Sequence, residues 1–135
     1  MGRFVLILLD THVVIWLADD ETRISKKAEA AIVQARQAGD GLAISAATLL
    51  ELAMLHSKGR IQLTISLESF MVNVESRFIV LPITGRICAQ AFDLPSNYPK
   101  DPADRIIGAT ALVEGLTLIT ADRAIRSSRA LPTIW

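Results

Sequence analysis

Several features that define common protein classes are scarce in this chain. A single cysteine, Cys88, excludes an internal disulfide and is typical of a reducing compartment, so we expect a cytoplasmic protein. No apolar run approaches the ~18 residues that span a bilayer. The run at residues 4–9 is too short, and no small-residue cleavage site follows it. We therefore expect neither a membrane span nor a signal peptide.

The chain also lacks a charge excess and the short motifs of several catalytic classes. Its 14 basic and 14 acidic residues balance, so net charge does not predict nucleic-acid binding. No Cys/His cluster indicates zinc, and no glycine-rich loop is present to cradle a phosphate. No Ser-His-Asp or Cys-His set indicates nucleophilic catalysis, since we interpret His12 and His56 as packing or surface residues and Cys88 as a core residue.

Apolar residues, in contrast, are abundant. They make up 51% of the 135 residues, which predicts a single domain spanning residues 1–135 with a sizeable core. This content exceeds what a small core hides, so we expect part of the apolar surface to bind a second copy of the chain or a partner helix.

Strand and helix patterns alternate along the chain. Short apolar runs predict strands at residues 4–9, 42–45, 78–82 and 116–120, with a further edge strand at residues 131–135. Helical spacing and capping residues predict helices at residues 11–18, 26–37, 46–58, 67–76, 84–92 and 123–128 and from residue 102 onward, whereas residues 61–65 are ambiguous. The alternation favours a three-layer α/β/α fold with a central, mainly parallel sheet of four to five strands.

Two acidic residues follow predicted strands. Asp10 ends the first strand and Asp122 follows the fourth, and each precedes a helix. Ligand sites of parallel sheets form at the carboxyl ends of strands, so both side chains are expected to face one crevice. Either residue could instead serve only as a helix N-cap.

Three further acids belong to predicted helices. Glu51 has mostly apolar neighbours three and four residues away, and a carboxylate on an apolar stripe is costly unless it is paired or binds a metal. Asp101 precedes Pro102 as an N-cap, and Asp104 follows in the first turn. The alternatives are a salt bridge or solvent contact for Glu51, and simple capping or helix-dipole roles for the two aspartates.

Carboxylates gathered in one crevice repel each other unless some are protonated or a cation offsets them. Oxygen ligands suit Mg²⁺ or Mn²⁺. Such a site can orient a water, lower its pKa and stabilise charge on a phosphate during in-line displacement. The acids therefore predict a site for metal-dependent displacement at a phosphate.

The ordered set of acidic motifs resembles the PIN domain, and in particular the VapC-type ribonuclease toxins of bacterial toxin–antitoxin pairs. The resemblance covers nearly the whole chain and lies in four segments: Leu8-Leu9-Asp10-Thr11-His12, Ser45 with Leu50-Glu51-Leu52, Asp101-Pro102-Ala103-Asp104-Arg105-Ile106-Ile107, and Leu118-Ile119-Thr120-Ala121-Asp122.

The resemblance implies a metal-dependent endoribonuclease that hydrolyses RNA phosphodiester bonds, in tRNA or ribosomal RNA. It implies a catalytic site of Asp10, Glu51, Asp104 and Asp122 that holds Mg²⁺ or Mn²⁺, with Asp101 as a further acid and Thr120 as a nearby hydroxyl. It also implies a homodimer and a cognate antitoxin that blocks the site.

Basic residues near the acidic elements are candidates for contacts with RNA phosphates, with ordinary solvated surface as the alternative. They are Arg105, Arg123, Arg126 and Arg129. The alternative function is a non-catalytic PIN-like module that binds nucleic acid or protein, because metal ligands alone do not prove turnover.

Overall fold

A computed structural model describes residues 6–39 and 41–135, and a five-stranded sheet forms its centre. The strands are β1 (Ile7–Leu9), β2 (Leu42–Ser45), β3 (Ile79–Leu81), β4 (Thr117–Ile119) and β5 (Thr133–Ile134). Their order is β3-β2-β1-β4-β5, and every neighbouring pair is parallel. The predicted parallel sheet is confirmed, although residues 4 and 5 of the first predicted strand lie outside the described residues.

Seven α-helices surround the sheet in the described part of the chain. They are α1 (Thr11–Asp19), α2 (Lys26–Gln37), α3 (Ala46–Ser57), α4 (Leu67–Arg77), α5 (Gly85–Ala91), α6 (Pro102–Glu114) and α7 (Arg123–Ser128). Residues 21–23 form a 3₁₀ turn between α1 and α2, and the ambiguous residues 61–65 form neither helix nor strand.

Local capping explains why several helix starts are predictable. The Ser25 hydroxyl accepts the Ala28 N–H at 3.1 Å, and α2 has the predicted bounds. The Thr84 hydroxyl accepts the Ile87 N–H at 3.2 Å at the start of α5. A side-chain acceptor satisfies an N–H that the first helical turn leaves free, so these starts depend on residues close in sequence.

The two faces of the sheet bury separate apolar clusters. On one face, Ile7 and Leu9 pack with side chains of α1, α2 and α4. On the other face, Leu8 packs with Tyr98 and with side chains of α6 and α7. This alternation along β1 gives the three layers of the predicted α/β/α fold.

One expectation about the core is wrong. Cys88 is exposed, because α5 turns Ile87 and Ala91 toward α6 and leaves position 88 on its outer face. No helix in the described ranges has the length and apolar character required to cross a membrane.

The strand order places a crevice at the carboxyl ends of the central strands. The chain passes from β1 outward to β2 and β3, then returns past β1 to β4 and β5. Connections therefore leave β1 and β4 in opposite directions, which is the arrangement that opens a binding crevice in parallel sheets. Asp10 and Asp122 follow the strands that border this crevice.

Candidate metal centre

Asp10 lies where β1 ends and α1 begins, and only 3% of it is exposed. One carboxylate oxygen accepts the Thr11 N–H at 2.8 Å, and the other accepts the Thr120 hydroxyl at 2.7 Å. The Asp10 N–H donates to the Ile119 carbonyl at 3.0 Å. Hydrogen bonds from two elements thus fix both the backbone and the side chain of this acid.

Asp122 caps α7, and its carboxylate accepts the Ile125 N–H at 3.0 Å. Its own N–H donates to the Thr120 hydroxyl oxygen at 3.1 Å. Because the same hydroxyl donates to Asp10, Thr120 links the two strand-end acids through a single side chain. This is the hydroxyl position that the family resemblance implied.

Glu51 projects from α3 and is half-buried. The Thr11 hydroxyl donates to its carboxylate at 2.5 Å, and the Thr48 hydroxyl lies 3.1 Å from that of Thr11. Thr11 has one hydroxyl proton and gives it to Glu51, so Thr48 is the donor to Thr11. Burial raises the pKa of Glu51, the Thr11 hydrogen bond acts against this rise, and the charges of Asp10 and Asp101 add to it.

The start of α6 contributes the remaining acids. The exposed Asp101 caps the helix by accepting the N–H groups of Ala103 at 2.9 Å and Asp104 at 3.2 Å. One carboxylate oxygen from each of Glu51, Asp101 and Asp104 lies within 4.8 Å of the other two. Asp101 is therefore both the predicted cap and a member of an acidic group.

Electrostatic coupling joins this group to the two strand-end acids. Burial raises the pKa of Asp104 to about 7, and the charges of Asp10, Asp101, Glu51 and Asp122 reinforce the rise. Within the described residues the compact acidic group is Glu51, Asp101 and Asp104, and Asp10 is joined to it through Thr11, which donates to both Asp10 and Glu51. The donors are oxygens alone and their charges repel, which suits a hard divalent cation.

The predicted arginines occupy different environments. Arg105 is only 9% exposed, and its guanidinium donates to the Ala91 carbonyl at 3.0 Å and the Tyr98 carbonyl at 3.4 Å. It supports the segment that leads into α6, and this position gives no support to the predicted phosphate contact. Arg123 is exposed at the start of α7, whereas Arg126 donates to the Ala121 carbonyl at 3.3 Å.

Sequence reasoning missed several residues that support the acids. Besides Thr11 and Thr48, the Tyr98 hydroxyl donates to the Asp104 backbone carbonyl at 2.9 Å. The signal for Thr48 was its place three residues before Glu51, one helical turn away.

His12 also has more than the packing or surface role that we assigned to it. Its Nε2 accepts the Ala121 N–H at 2.9 Å, and burial lowers its pKa.

Comparison with known proteins agrees with this arrangement. The PIN domain family model matches residues 7–130. Ribonuclease VapC22 of Mycobacterium tuberculosis is 42% identical over 131 residues, which cover 96% of this chain and 98% of the relative.

Solved structures share the fold. A toxin–antitoxin complex from Klebsiella pneumoniae contains a chain with 26% identity and a TM-score of 0.58, with 86% of each chain covered. The crystal structure of VapBC2 from Rickettsia felis bound to a DNA fragment from their promoter has a chain with a TM-score of 0.69, covering 95% of this chain and 96% of that one. At 16% identity the latter shows the fold alone. The sheet order, the acids around its central crevice and the match over residues 7–130 together make this chain a member of the PIN domain family.

Proposed function

We propose that this chain is a metal-dependent endoribonuclease that acts as the toxin of a toxin–antitoxin pair. The observation that carries the proposal is the acidic group of Glu51, Asp101 and Asp104, which Thr11 links to Asp10 and Thr120 in turn links to Asp122. A 42% identical relative that carries the name ribonuclease supports the choice of RNA as substrate. We include in the proposal that residues 1–135 form one PIN-like domain.

In this proposal Asp10, Glu51, Asp104 and Asp122 hold the divalent cation, Mg²⁺ or Mn²⁺, and Asp101 adds charge at the exposed rim. When bound, the cation supplies an activated water and stabilises charge on the phosphate. Thr120 keeps Asp10 and Asp122 in register, and Thr11 keeps Glu51 turned toward them. The half-buried Glu51 also orients the attacking water.

RNA binding needs cations beside this acidic crevice. Arg123 is exposed one residue after Asp122, so its guanidinium can meet a phosphate of a bound strand. The Nε of Arg126 is buried without a hydrogen-bond partner among the described residues, while its Nη2 donates to the Ala121 carbonyl. We assign the phosphate contact to Arg123 first and to Arg126 second.

A cognate antitoxin is the partner that the toxin role requires. The related chain from Klebsiella pneumoniae belongs to a toxin–antitoxin complex. An open groove between α1 and the segment before α4 offers a surface for such a partner, with apolar side chains and two arginines. Its lining includes Ile15, Trp16, Leu63, Phe70, Arg23 and Arg60.

Self-association into a homodimer in the cytoplasm completes the proposal. Leu50 is 64% exposed and Met54 46% exposed on neighbouring turns of α3, and Phe92 is 76% exposed after α5. Apolar side chains in such exposed positions favour contact with another protein surface. Light scattering of the purified chain, freed of antitoxin, measures the oligomeric state.

The test of the proposed function is RNA cleavage by the purified chain. A panel of cellular RNAs is incubated with Mg²⁺ or Mn²⁺, with and without a chelator, beside Asp104→Asn. Asp93→Asn, at an exposed position just after α5, is the matched control. We expect discrete fragments from the wild type and the control that disappear with chelator or with Asp104→Asn. Metal binding without cleavage of any RNA would instead favour a non-catalytic binding module.

A further inference from the structure

The turn between β4 and α7 carries Asp122, and hydrogen bonds hold it at both ends. Thr120 is bonded to Asp10, and Asp122 caps α7. Two peptide planes lie between these anchors, one on each side of Ala121. The orientation of these planes determines where the Asp122 carboxylate lies.

Each plane is held by a different side chain. The Ala121 N–H, in the first plane, donates to His12 Nε2 at 2.9 Å. The Ala121 carbonyl, in the second plane, accepts from the Arg126 guanidinium at 3.3 Å. His12 belongs to α1 and lies 109 positions earlier in the chain, whereas Arg126 belongs to the same segment as the turn. His12 is therefore a second contact, besides that of Thr120 with Asp10, that ties the turn to the element carrying Asp10.

The imidazole is itself held in place. The Trp16 ring lies 4.9 Å from it and the Trp135 ring 6.3 Å, centroid to centroid. Since Nε2 accepts a hydrogen bond, the ring proton is on Nδ1, which lies 3.6 Å from the Asp10 carboxylate. The ring thus faces Asp10 with one nitrogen and the Asp122 turn with the other.

We propose that His12 is a positioning residue that holds Asp122 in register with Asp10 by accepting the Ala121 N–H. This inference rests on the proposed function, because the register matters for joint binding of a divalent cation. Residues that orient metal ligands typically change metal affinity or activity roughly 10–100-fold when mutated.

Three substitutions separate the hydrogen bond from ring packing. His12→Phe keeps an aromatic ring against Trp16 and Trp135 but removes the acceptor. His12→Gln loses the ring but places an amide oxygen at the distance of Nε2. His12→Asn carries the same amide one bond shorter, so it cannot reach Ala121, and it is small enough to fold if phenylalanine disrupts the site. His56→Gln, at the other histidine, is the matched control.

Two measurements without RNA are made on each variant: Mn²⁺ affinity by calorimetry and hydrogen exchange of the Ala121 amide by NMR. We expect His12→Phe and His12→Asn to weaken Mn²⁺ binding about 10–100-fold and to speed exchange of this amide. His12→Gln should stay close to wild type in both. In cleavage assays His12→Phe and His12→Asn should lower kcat and leave KM within about twofold of the wild-type value.

The outcomes are distinct. Impairment of His12→Gln beside wild-type behaviour of His12→Phe would show that the ring matters only for packing, and equal impairment of the two variants would show that an acceptor at this position does not restore the site. Either result overturns the positioning role. Failure of the proposed function has another signature, since the wild type would then cleave no RNA while Mn²⁺ affinity and amide exchange still decide the role of His12.

Discussion

Two kinds of carboxylate meet in the candidate metal centre. Asp10 and Asp122 follow strands and cap helices, and backbone N–H groups donate to both. Glu51 and Asp104 project from helices. Glu51 receives one hydrogen bond, from Thr11, and within residues 6–39 and 41–135 no group donates to the Asp104 carboxylate. The pKa of both helix-borne acids is raised, first of all by burial.

The difference separates acids whose charge the fold stabilises from acids whose charge destabilises the fold. Helix N-termini and N–H donors stabilise the negative charge of Asp10 and Asp122, so these residues are useful even without a cation. Asp104 also lies in the first turn of a helix, but its burial and the repulsion from neighbouring carboxylates outweigh that position, so its charge destabilises the metal-free fold. Residues with an unfavourable effect on folding are expected at functional sites.

The largest expected effect comes from neutralising one acid of each kind. Asp104→Asn and Asp10→Asn should each abolish cleavage, a greater loss than the roughly 10–100-fold typical of a residue that only supports a ligand. Their effects on the metal-free fold should be opposite. Asp104→Asn relieves repulsion and raises Tm, whereas Asp10→Asn has only one oxygen for two donors and loses a bond that contributes about 1.5–3 kcal/mol.

Thermal unfolding in chelator, beside the RNA assay, measures both effects. Asp93→Asn is the control for charge removal at an exposed position. A lower Tm for Asp104→Asn would contradict the comparison, and retained cleavage by either variant would contradict the site.

Thr11 serves both kinds of acid, and Thr11→Val separates its two contacts. The Thr11 N–H to Asp10 remains, but the hydroxyl that donates to Glu51 is lost. We expect kcat/KM and Mn²⁺ affinity to fall roughly 10–100-fold, because Glu51 is no longer oriented. Thr64→Val, at an exposed threonine, should leave both quantities at wild-type values. Unchanged activity of Thr11→Val would remove Glu51 from the metal centre.

Gly108→Ala tests the contact by which Tyr98 supports the backbone of Asp104. A Cβ at this position of α6 would overlap the Tyr98 hydroxyl, lie 2.7 Å from Tyr98 Cζ and approach Leu131 at 3.1 Å. The Tyr98 ring must then move and release the Asp104 carbonyl that its hydroxyl bonds. We expect a loss of about 1–3 kcal/mol in the free energy of unfolding, as for other overpacked cores.

Denaturant unfolding measures this loss, and Gly85→Ala is the matched control. A Cβ at Gly85 meets nothing within 4 Å, so this substitution should be neutral or slightly stabilising. Equal stability of the two variants would show that Tyr98 adapts without displacing α6.

A further consequence of the comparison is a pH dependence of the metal-free fold. Asp104 titrates at about 7 when folded and at its ordinary value near 3.8 when unfolded. Between these values the folded state binds the extra proton, so stability is greatest at the acidic end and is lost as pH rises toward 7. The raised pKa of Glu51 acts in the same direction.

Tm measured in chelator from pH 4 to pH 7.5 at constant ionic strength gives this slope. Asp104→Asn should flatten it, whereas Asp93→Asn should keep the wild-type slope. Saturating Mn²⁺ should reverse the trend at neutral pH, since a ligand that binds only the folded state stabilises it. An identical slope in Asp104→Asn would assign the dependence to another group.

Much of the fold was accessible from the sequence because its signals are local. The bounds of α2, β2 and α7 match the predicted ones, since capping side chains and apolar periodicity lie within a few residues of each element. The convergence of Asp10 and Asp122 was predictable for a related reason: parallel strands bring their carboxyl ends to one edge.

Contacts between distant segments were not accessible. The hydroxyl pair of Thr11 and Thr48 joins residues 37 positions apart, and the bond from Ala121 to His12 joins residues 109 apart. Arg105 was a candidate phosphate ligand in the sequence, yet it donates to the carbonyls of Ala91, at the end of α5, and of Tyr98, in the following loop. A side chain's role depends on which groups surround it, and spacing does not report those groups across long separations.

The amino-acid sequence by itself determined the alternating elements, their caps and the acidic residues at the sheet edge, because each follows from short-range periodicity and from the chemistry of carboxylates. Only the tertiary structure decided which acids are bonded and which carry unfavourable charge. Burial and hydrogen bonding depend on the packing of α1, α3, α6 and the β4–α7 turn against one another, and this packing joins residues from opposite ends of the chain.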